Sequence, residues 1–196
     1  PLNHGRVLSV YTANQAFLML MNYRVKQLKS QGKFKNHPRF MIKTTASALS
    51  WDEWAKHYGI KVVNVPVGFK EIANIMKKVE LQLREAPERE VVVEDVFGNE
   101  IKLGVQPRLV FAGEESGGMI IGAIEPIKSL NGRIALAMRE KSATEAIVVA
   151  SALISSIDTT LVEHLQKIYD ENNIISRYDV RVDIAYYNES EPDINK

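Results

Sequence analysis

Lys61 to Ala86 reads KVVNVPVGFKEIANIMKKVELQLREA, and its two halves obey different periods. The first is short, rich in β-branched residues and bounded by Pro66 and Gly68, which predicts a strand over Lys61–Val65. In the second, Ile72, Ile75, Met76, Val79 and Leu83 recur at steps of three and four. That spacing predicts a helix with one apolar face, ending before Pro87. Upstream the same alternation repeats. RFMIKTT predicts a buried strand over Arg39–Thr44, and SWDEWAKHYGI predicts a helix opened by a Ser50–Glu53 capping box and stopped at Gly59. Before them, NQAFLMLMNYRVKQLKS carries Phe17, Leu20, Met21, Val25 and Leu28 at helical spacing. Strands alternating with helices at this pitch predict an α/β fold with mostly parallel strands and helices on both faces.

Downstream the pattern changes. EVVVEDVFGNEIKLG holds two β-rich runs around FGN, a hairpin signal near residues 91–104. RLVFAG and MIIGAI predict strands over Leu109–Gly113 and Met119–Ile124. The second must run antiparallel to the first, because a short glycine-rich link cannot make a parallel crossover. SATEAIVVASALISSI and TTLVEHLQKIYDEN then read as helices, RYDVRVDIAYY as a strand, and NESEPDINK as a linker or tail. The expected architecture is a three-layer α/β/α unit around a four-stranded mixed sheet, with a β-hairpin insertion and C-terminal helices.

Composition narrows the function classes. The chain has 196 residues, 45% hydrophobic and 25% charged, which is ordinary for a globular protein with a real core. A net charge of +1 argues against a nucleic-acid partner, and the apolar runs are too short to span a bilayer. No signal peptide is visible, and the absence of cysteine fits a reducing, cytoplasmic compartment. One charge run stands out. Arg24, Lys26, Lys29, Lys33, Lys35 and Arg39 follow one another with no acid between them. It reads as a solvated helix end and loop, or as a basic rim for an anionic substrate.

FAGEESGGMIIG, Phe111 to Gly122, places Glu114, Glu115 and Ser116 at the end of an apolar strand, where α/β sheets put ligand contacts. A carboxylate accepts hydrogen bonds from sugar hydroxyls, a serine both donates and accepts, and glycines leave room for a ligand. By chemistry alone the stretch reads equally as a polyol-binding loop or as a plain acidic turn.

Four stretches in order sharpen the reading. GEESGG resembles the sugar-recognition loop of the phosphohexomutases, the phosphoglucomutase and phosphomannomutase superfamily. TANQ (Thr12–Gln15) resembles the start of that family's third domain; KTT (Lys43–Thr45) with HYGIKVVNVPVGFKEIANIM resembles its strand, phosphate-side loop and helix. MREK (Met138–Lys141) resembles the element that opens its next helix. Any one of these is weak; four in order are strong. The resemblance implies a third domain over residues 1–157, with helix, strand and linker over 158–196 leading toward a fourth. On this reading the chain is an excised piece of a longer mutase.

The resemblance also implies roles. Glu114 and Ser116 would grip hexose hydroxyls, Gly68 and Lys70 would lie beside the sugar phosphate, and Lys141 would face the phosphate or the reacting oxygen as the one catalytic residue of this segment. Without the motifs, Lys70 and Lys141 would read as solvated lysines. The pattern departs at Ser142 and Ala143, where the family has Asp-Gly, and at Val67, where some members carry threonine. The family's phosphoserine loop, Asp-rich magnesium loop and phosphate-binding loop belong to its other domains, and none is found in this sequence. The expected partners are therefore a hexose phosphate and the remaining domains of the same chain. Mg2+ is expected for the intact enzyme, with no metal or cofactor held by this segment. The intact enzyme would interconvert hexose 1-phosphate and hexose 6-phosphate, as an isomerase acting by phosphoryl transfer, and this piece alone would be inactive. The alternatives are a stand-alone sugar-phosphate-binding or regulatory module without catalysis, and a scaffold with no ligand.

Overall fold

Residues 8–178 are described by the computed structural model. In chain order they form α1 (Ala13–Ser30), a 3-10 turn (Phe34–Asn36), β1 (Arg39–Thr44), α2 (Leu49–Tyr58), β2 (Lys61–Val65) and α3 (Phe69–Glu85). There follow β3 (Glu90–Glu94), β4 (Glu100–Val105), β5 (Arg108–Gly113), β6 (Met119–Ile121), β7 (Ile127–Lys128), β8 (Ile134–Ala135), α4 (Ala143–Ser155) and α5 (Leu161–Glu171).

The main sheet has the order β2-β1-β5-β6. β2, β1 and β5 are parallel, and β6 returns antiparallel to β5 through the short acidic loop. All six residues of β1 and of β5 are buried, as parallel strands covered on both faces must be. On one face Met41, Val110 and Phe111 pack against Phe17, Leu18 and Met21 of α1 and Trp51 and Trp54 of α2. Trp51 meets Phe111 edge-on, with ring centroids 5.5 Å apart. On the other face Phe40, Ile42, Leu109 and Ala112 pack against Ile72, Met76 and Val79 of α3. This is the expected three-layer α/β/α arrangement around a four-stranded mixed sheet. Leu165 and Ile168 of α5 join the first core alongside α1.

The β3–β4 hairpin forms a separate antiparallel ribbon. Its turn is fixed by Asp95, whose Oδ1 accepts the amides of Phe97 and Asn99, both at 2.9 Å. Gln82 on α3 clasps Val92 from both sides, its Nε2 donating to Val92 O (2.9 Å) and its Oε1 accepting from Val92 N (3.1 Å).

Three details differ from the sequence reading. The Ser50–Glu53 capping box does not form: α2 starts at Leu49, its N-cap is Ala48, and Ser50 is buried inside the first turn. Glu53 is drawn away by long-range donors, the amides of Ile175 (2.7 Å) and Ser176 (3.0 Å) and the Ser176 hydroxyl (2.8 Å). The boxes that do form join Thr12 to Gln15 and Thr160 to Glu163. Strand β6 stops at Ile121 rather than Ile124, because Ala123 N turns to Leu136 O (2.9 Å) and the chain enters the small β7–β8 hairpin. The basic run is partly internal: Arg24 donates to Gly122 O and Arg39 is buried, bonding Phe34 O. The strand expected over 177–187 falls, beyond Tyr178, outside the described residues.

Candidate functional site

Because β1, β2 and β5 are parallel and β6 runs back, Thr44, Val65, Gly113 and Met119 all lie at one edge of the sheet. The loops leaving that edge carry the residues singled out in the sequence. β5 delivers Glu114 into a tight turn, with Glu114 N donating to Gly118 O (3.0 Å) and Gly117 N to Glu114 O (3.1 Å). β2 delivers Pro66, Val67 and Gly68 into the start of α3. Gly68 is the N-cap of α3 with φ +125°, a conformation that other residues adopt only under strain, and no side chain caps the helix's first amides.

Lys141 reaches the same edge from far along the chain. Ser142 N donates to Met119 O (3.4 Å), and the Ser142 hydroxyl caps α4 by accepting from Glu145 N (3.1 Å). Glu145 Oε2 in turn accepts from Ile121 N (3.0 Å), pinning α4 to β6. Serine caps a helix about as well as aspartate, so the departure from the family pattern at this position leaves the helix start intact. Lys141 Nζ then lies 3.2 Å from Glu114 Oε1 and 5.3 Å from the centre of the Phe69 ring. The Glu114 side chain is 6% exposed and that of Lys141 53%, so a buried carboxylate is covered by a cation whose other side faces solvent.

Gly118 is where these groups meet. A Cβ built there would come within 2.8 Å of Glu114 Oε1, 3.1 Å of the Phe69 ring and 3.2 Å of Lys141 Cδ. Glu114, Lys141 and the Gly68–Phe69 corner are therefore neighbours on one rim. Ser116 is exposed at the tip of the turn, two residues from Glu114, and its hydroxyl forms no hydrogen bond among the described residues. Lys70 is exposed on the first turn of α3, beside the rim but in no ion pair among the described residues.

Sequence reasoning missed the residues that hold the loop. The fully buried Thr44 donates to Glu115 Oε2 at 2.8 Å and shares a 2.9 Å contact with Ser47 Oγ, so the second glutamate anchors the turn to the end of β1. Lys43, in the same KTT stretch, is buried and holds Ser47 O and Ala48 O, both at 3.1 Å, with Asp52 at 2.5 Å. It shapes the β1–α2 corner rather than facing the rim. Phe69 lies under Lys141. The KTT, GFK and GEESGG motifs contain these residues, but no local spacing announces that Thr44 holds Glu115, 71 positions away. Among the described residues no three His, Asp or Glu side chains gather in a way that could hold a metal ion. No described helix is long and apolar enough to cross a membrane.

Residues 12–171 match the family model described as phosphoglucomutase/phosphomannomutase, alpha/beta/alpha domain III. Among solved structures the chain is similar to a putative phosphomannomutase from Thermus thermophilus, with 18% identity and a TM-score of 0.48. That match covers 83% of this chain and 26% of the other, so this chain spans about a quarter of that protein's length. No curated protein matches the chain.

Proposed function

Since the chain belongs to the phosphoglucomutase/phosphomannomutase family, whose alpha/beta/alpha domain III it contains, we propose that the Glu114 rim is a hexose-phosphate recognition surface. Glu114 and Ser116 contact sugar hydroxyls, while Lys141, Lys70 and the open amides at Gly68–Phe69 attract the phosphate. The observation that carries this reading is the Lys141–Glu114 contact of 3.2 Å beside Phe69, which couples a carboxylate to a half-exposed ammonium at the ligand edge of the sheet. The helix start supports it, because uncapped amides and the positive end of a 17-residue helix favour an anion. An ammonium on a flexible arm suits a phosphate dianion and can leave Glu114 when the ligand arrives.

In the intact protein this surface would orient the sugar while other domains supply the phosphoserine and magnesium, interconverting hexose 1-phosphate and hexose 6-phosphate. The cysteine-free sequence suits a cytoplasmic setting. The 196-residue chain has a sugar-orienting edge but no partner to store a phosphoryl group. Ser116 has no adjacent base of the usual kind, and neighbouring Glu114 and Glu115 oppose an incoming phosphate.

The test is titration of the chain with glucose 1-phosphate or glucose 6-phosphate, followed by amide NMR. Saturable shifts are expected at Ser116, Gly117, Phe69, Lys70 and Lys141. Glu114→Gln with Ser116→Ala should weaken binding by roughly tenfold or more, as lost hydrogen bonds to hydroxyls of about 1.4 kcal/mol would. Shifts that avoid these residues would overturn the assignment. Mutase turnover abolished by Ser116→Ala would show that the chain is a complete enzyme of its own.

A further inference from the structure

The opposite edge of the sheet has an unusual charge arrangement. Arg39 begins β1 and Arg108 begins β5, and the two are register partners on adjacent strands. Both are 5% exposed. Like charges side by side on neighbouring strands are unfavourable, and more so when buried. Arg39 donates to backbone oxygens, those of Phe34 (3.0 Å) and Lys33 (2.5 Å), while Arg24 donates through Nη2 to Gly122 O (2.9 Å) and keeps its Nε buried without a partner. Carbonyls accept some of these hydrogen bonds but leave the net charge in place. Burial first, and then the charges of Arg108 and Arg24, hold Arg39 below the ordinary arginine range, with Glu125 acting the other way.

Arg108 opens onto a hollow of about 590 Å³ between the end of α3 and the β7–β8 hairpin. Arg84, Gln106, Glu125 and Lys128 also line it. Glu125 is the acid that answers Arg108, at 3.3 Å from Nη2, and its side chain is 67% exposed. Its hold is therefore weak and screened by solvent. Arg108 Nε is buried without a partner, and the other Nη2 neighbour is His37, whose Nε2 lies 3.5 Å away. Arg84 pairs with Glu85 in solvent, and Lys128 forms no ion pair among the described residues. Arg108, Arg84 and Lys128 thus face the one loosely held carboxylate that lines the hollow, and even with Arg84 paired to Glu85 a net positive charge is left for an anion.

We propose that this hollow is a second anion site, which takes the phosphoryl group of a small phosphate monoester. The phosphoryl oxygens displace Glu125 from the Arg108 fork and gain Lys128 and Arg84 at the mouth. Arg108 Nη1 donates to Gln106 O (2.9 Å) and Pro107 O (3.4 Å), so the guanidinium is held by carbonyls and keeps Nε and Nη2 in fixed geometry for a tetrahedral oxyanion. The cationic lining concentrates the field of Arg39 and Arg24 behind it. Glu125 acts as a built-in competitor that occupies the fork when no anion is bound. This site is at the far edge of the sheet from Glu114 and does not depend on the sugar-recognition reading.

Inorganic phosphate titrated into the 196-residue chain, followed by amide NMR, tests the proposal. Saturable shifts are expected at Gln106, Lys128 and Gly132. Glu125→Gln, a surface change, should tighten binding roughly three- to tenfold by removing the competitor, and Lys128→Ala should loosen it several-fold. Saturable shifts confined to Ser116–Gly118 and Lys141 would place the anion at the other edge and overturn the proposal. So would an affinity indifferent to Glu125→Gln, or the absence of any saturable shift.

Discussion

Gly118 has no side chain, and three other residues use the space that one would occupy. Adding a methyl group at this position sets it 2.8 Å from Glu114 Oε1, 3.1 Å from the Phe69 ring and 3.2 Å from Lys141 Cδ. Of the three, the Lys141 arm is the freest to move, since its side chain is half exposed while Glu114 is held in the buried turn. Gly118→Ala is therefore expected to break the Lys141–Glu114 contact before it breaks the fold, at about 1–3 kcal/mol of stability. Hydrogen-detected NMR of the lysine ammonium groups checks it: the Lys141 signal should lose its protection, and a signal that persists unchanged would refute the account. Individual residues were unevenly legible in the sequence. Glu114, Ser116, Gly68, Lys70 and Lys141 stand in motifs that can be read by eye, and the structure gathers Glu114, Lys141 and the Gly68 corner. The Thr44–Glu115 bond joins positions 71 apart, and no local spacing announces it. The Arg39–Arg108 pairing depends on strand register, which the sequence shows only once it is known which strands are neighbours.

At the scale of elements, local signals succeed when nothing distant competes for the same atoms. Thr12–Gln15 and Thr160–Glu163 both form reciprocal caps. Ser50–Glu53 has the same spacing, yet Glu53 is taken by three donors from the segment after α5. Thus α2 gives up a side-chain cap, and the end of the described chain gains an anchor. Burial tends to raise the Glu53 pKa, but the backbone and hydroxyl of Ser176 and the backbone of Ile175 outweigh it and hold the carboxyl below the usual range. A depressed folded pKa means that the anchor contributes fully above the ordinary glutamate value of about 4.3 and fades as pH falls through the lower folded value. The Ile175 and Ser176 amide shifts should therefore titrate together at a pH below the ordinary glutamate range. Glu53→Gln should remove that titration while the signals of α3 stay in place. Amides that fail to move with pH would show that Glu53 does not hold this segment. The strand and helix periods were legible because each element packs one apolar face on the sheet. The β7–β8 hairpin was not, because its two-residue strands carry too little pattern to be read.

On the scale of the whole molecule, the fold consists of two cores sharing one pair of strands. Along β1, Phe40 and Ile42 face the α3 side and Met41 faces α1 and α2. In β5 the alternation breaks: Leu109 and Ala112 face α3, while Val110 and Phe111 both face the other core. The register explains it. Phe40 pairs with Leu109 and Met41 with Phe111, so Val110 is an extra residue bulged into the parallel ladder. The bulge gives the α1–α2 core one more apolar side chain and sets the phase in which β5 reaches Gly113 and Glu114. Because β1 and β5 belong to both cores, neither core can come apart without exposing the other's sheet face. Ile72→Ala removes buried atoms from the α3 core alone and should cost about 2–5 kcal/mol. Trp51 and Trp54 lie across the sheet in the other core and report on it by fluorescence. The midpoint of denaturant unfolding seen by tryptophan fluorescence should fall as far as the midpoint seen by far-ultraviolet circular dichroism, with the two curves superimposed. Tryptophan signals that kept their wild-type midpoint while the dichroism curve shifted would mean that the two cores unfold separately, and that the shared strands do not join them into one cooperative unit.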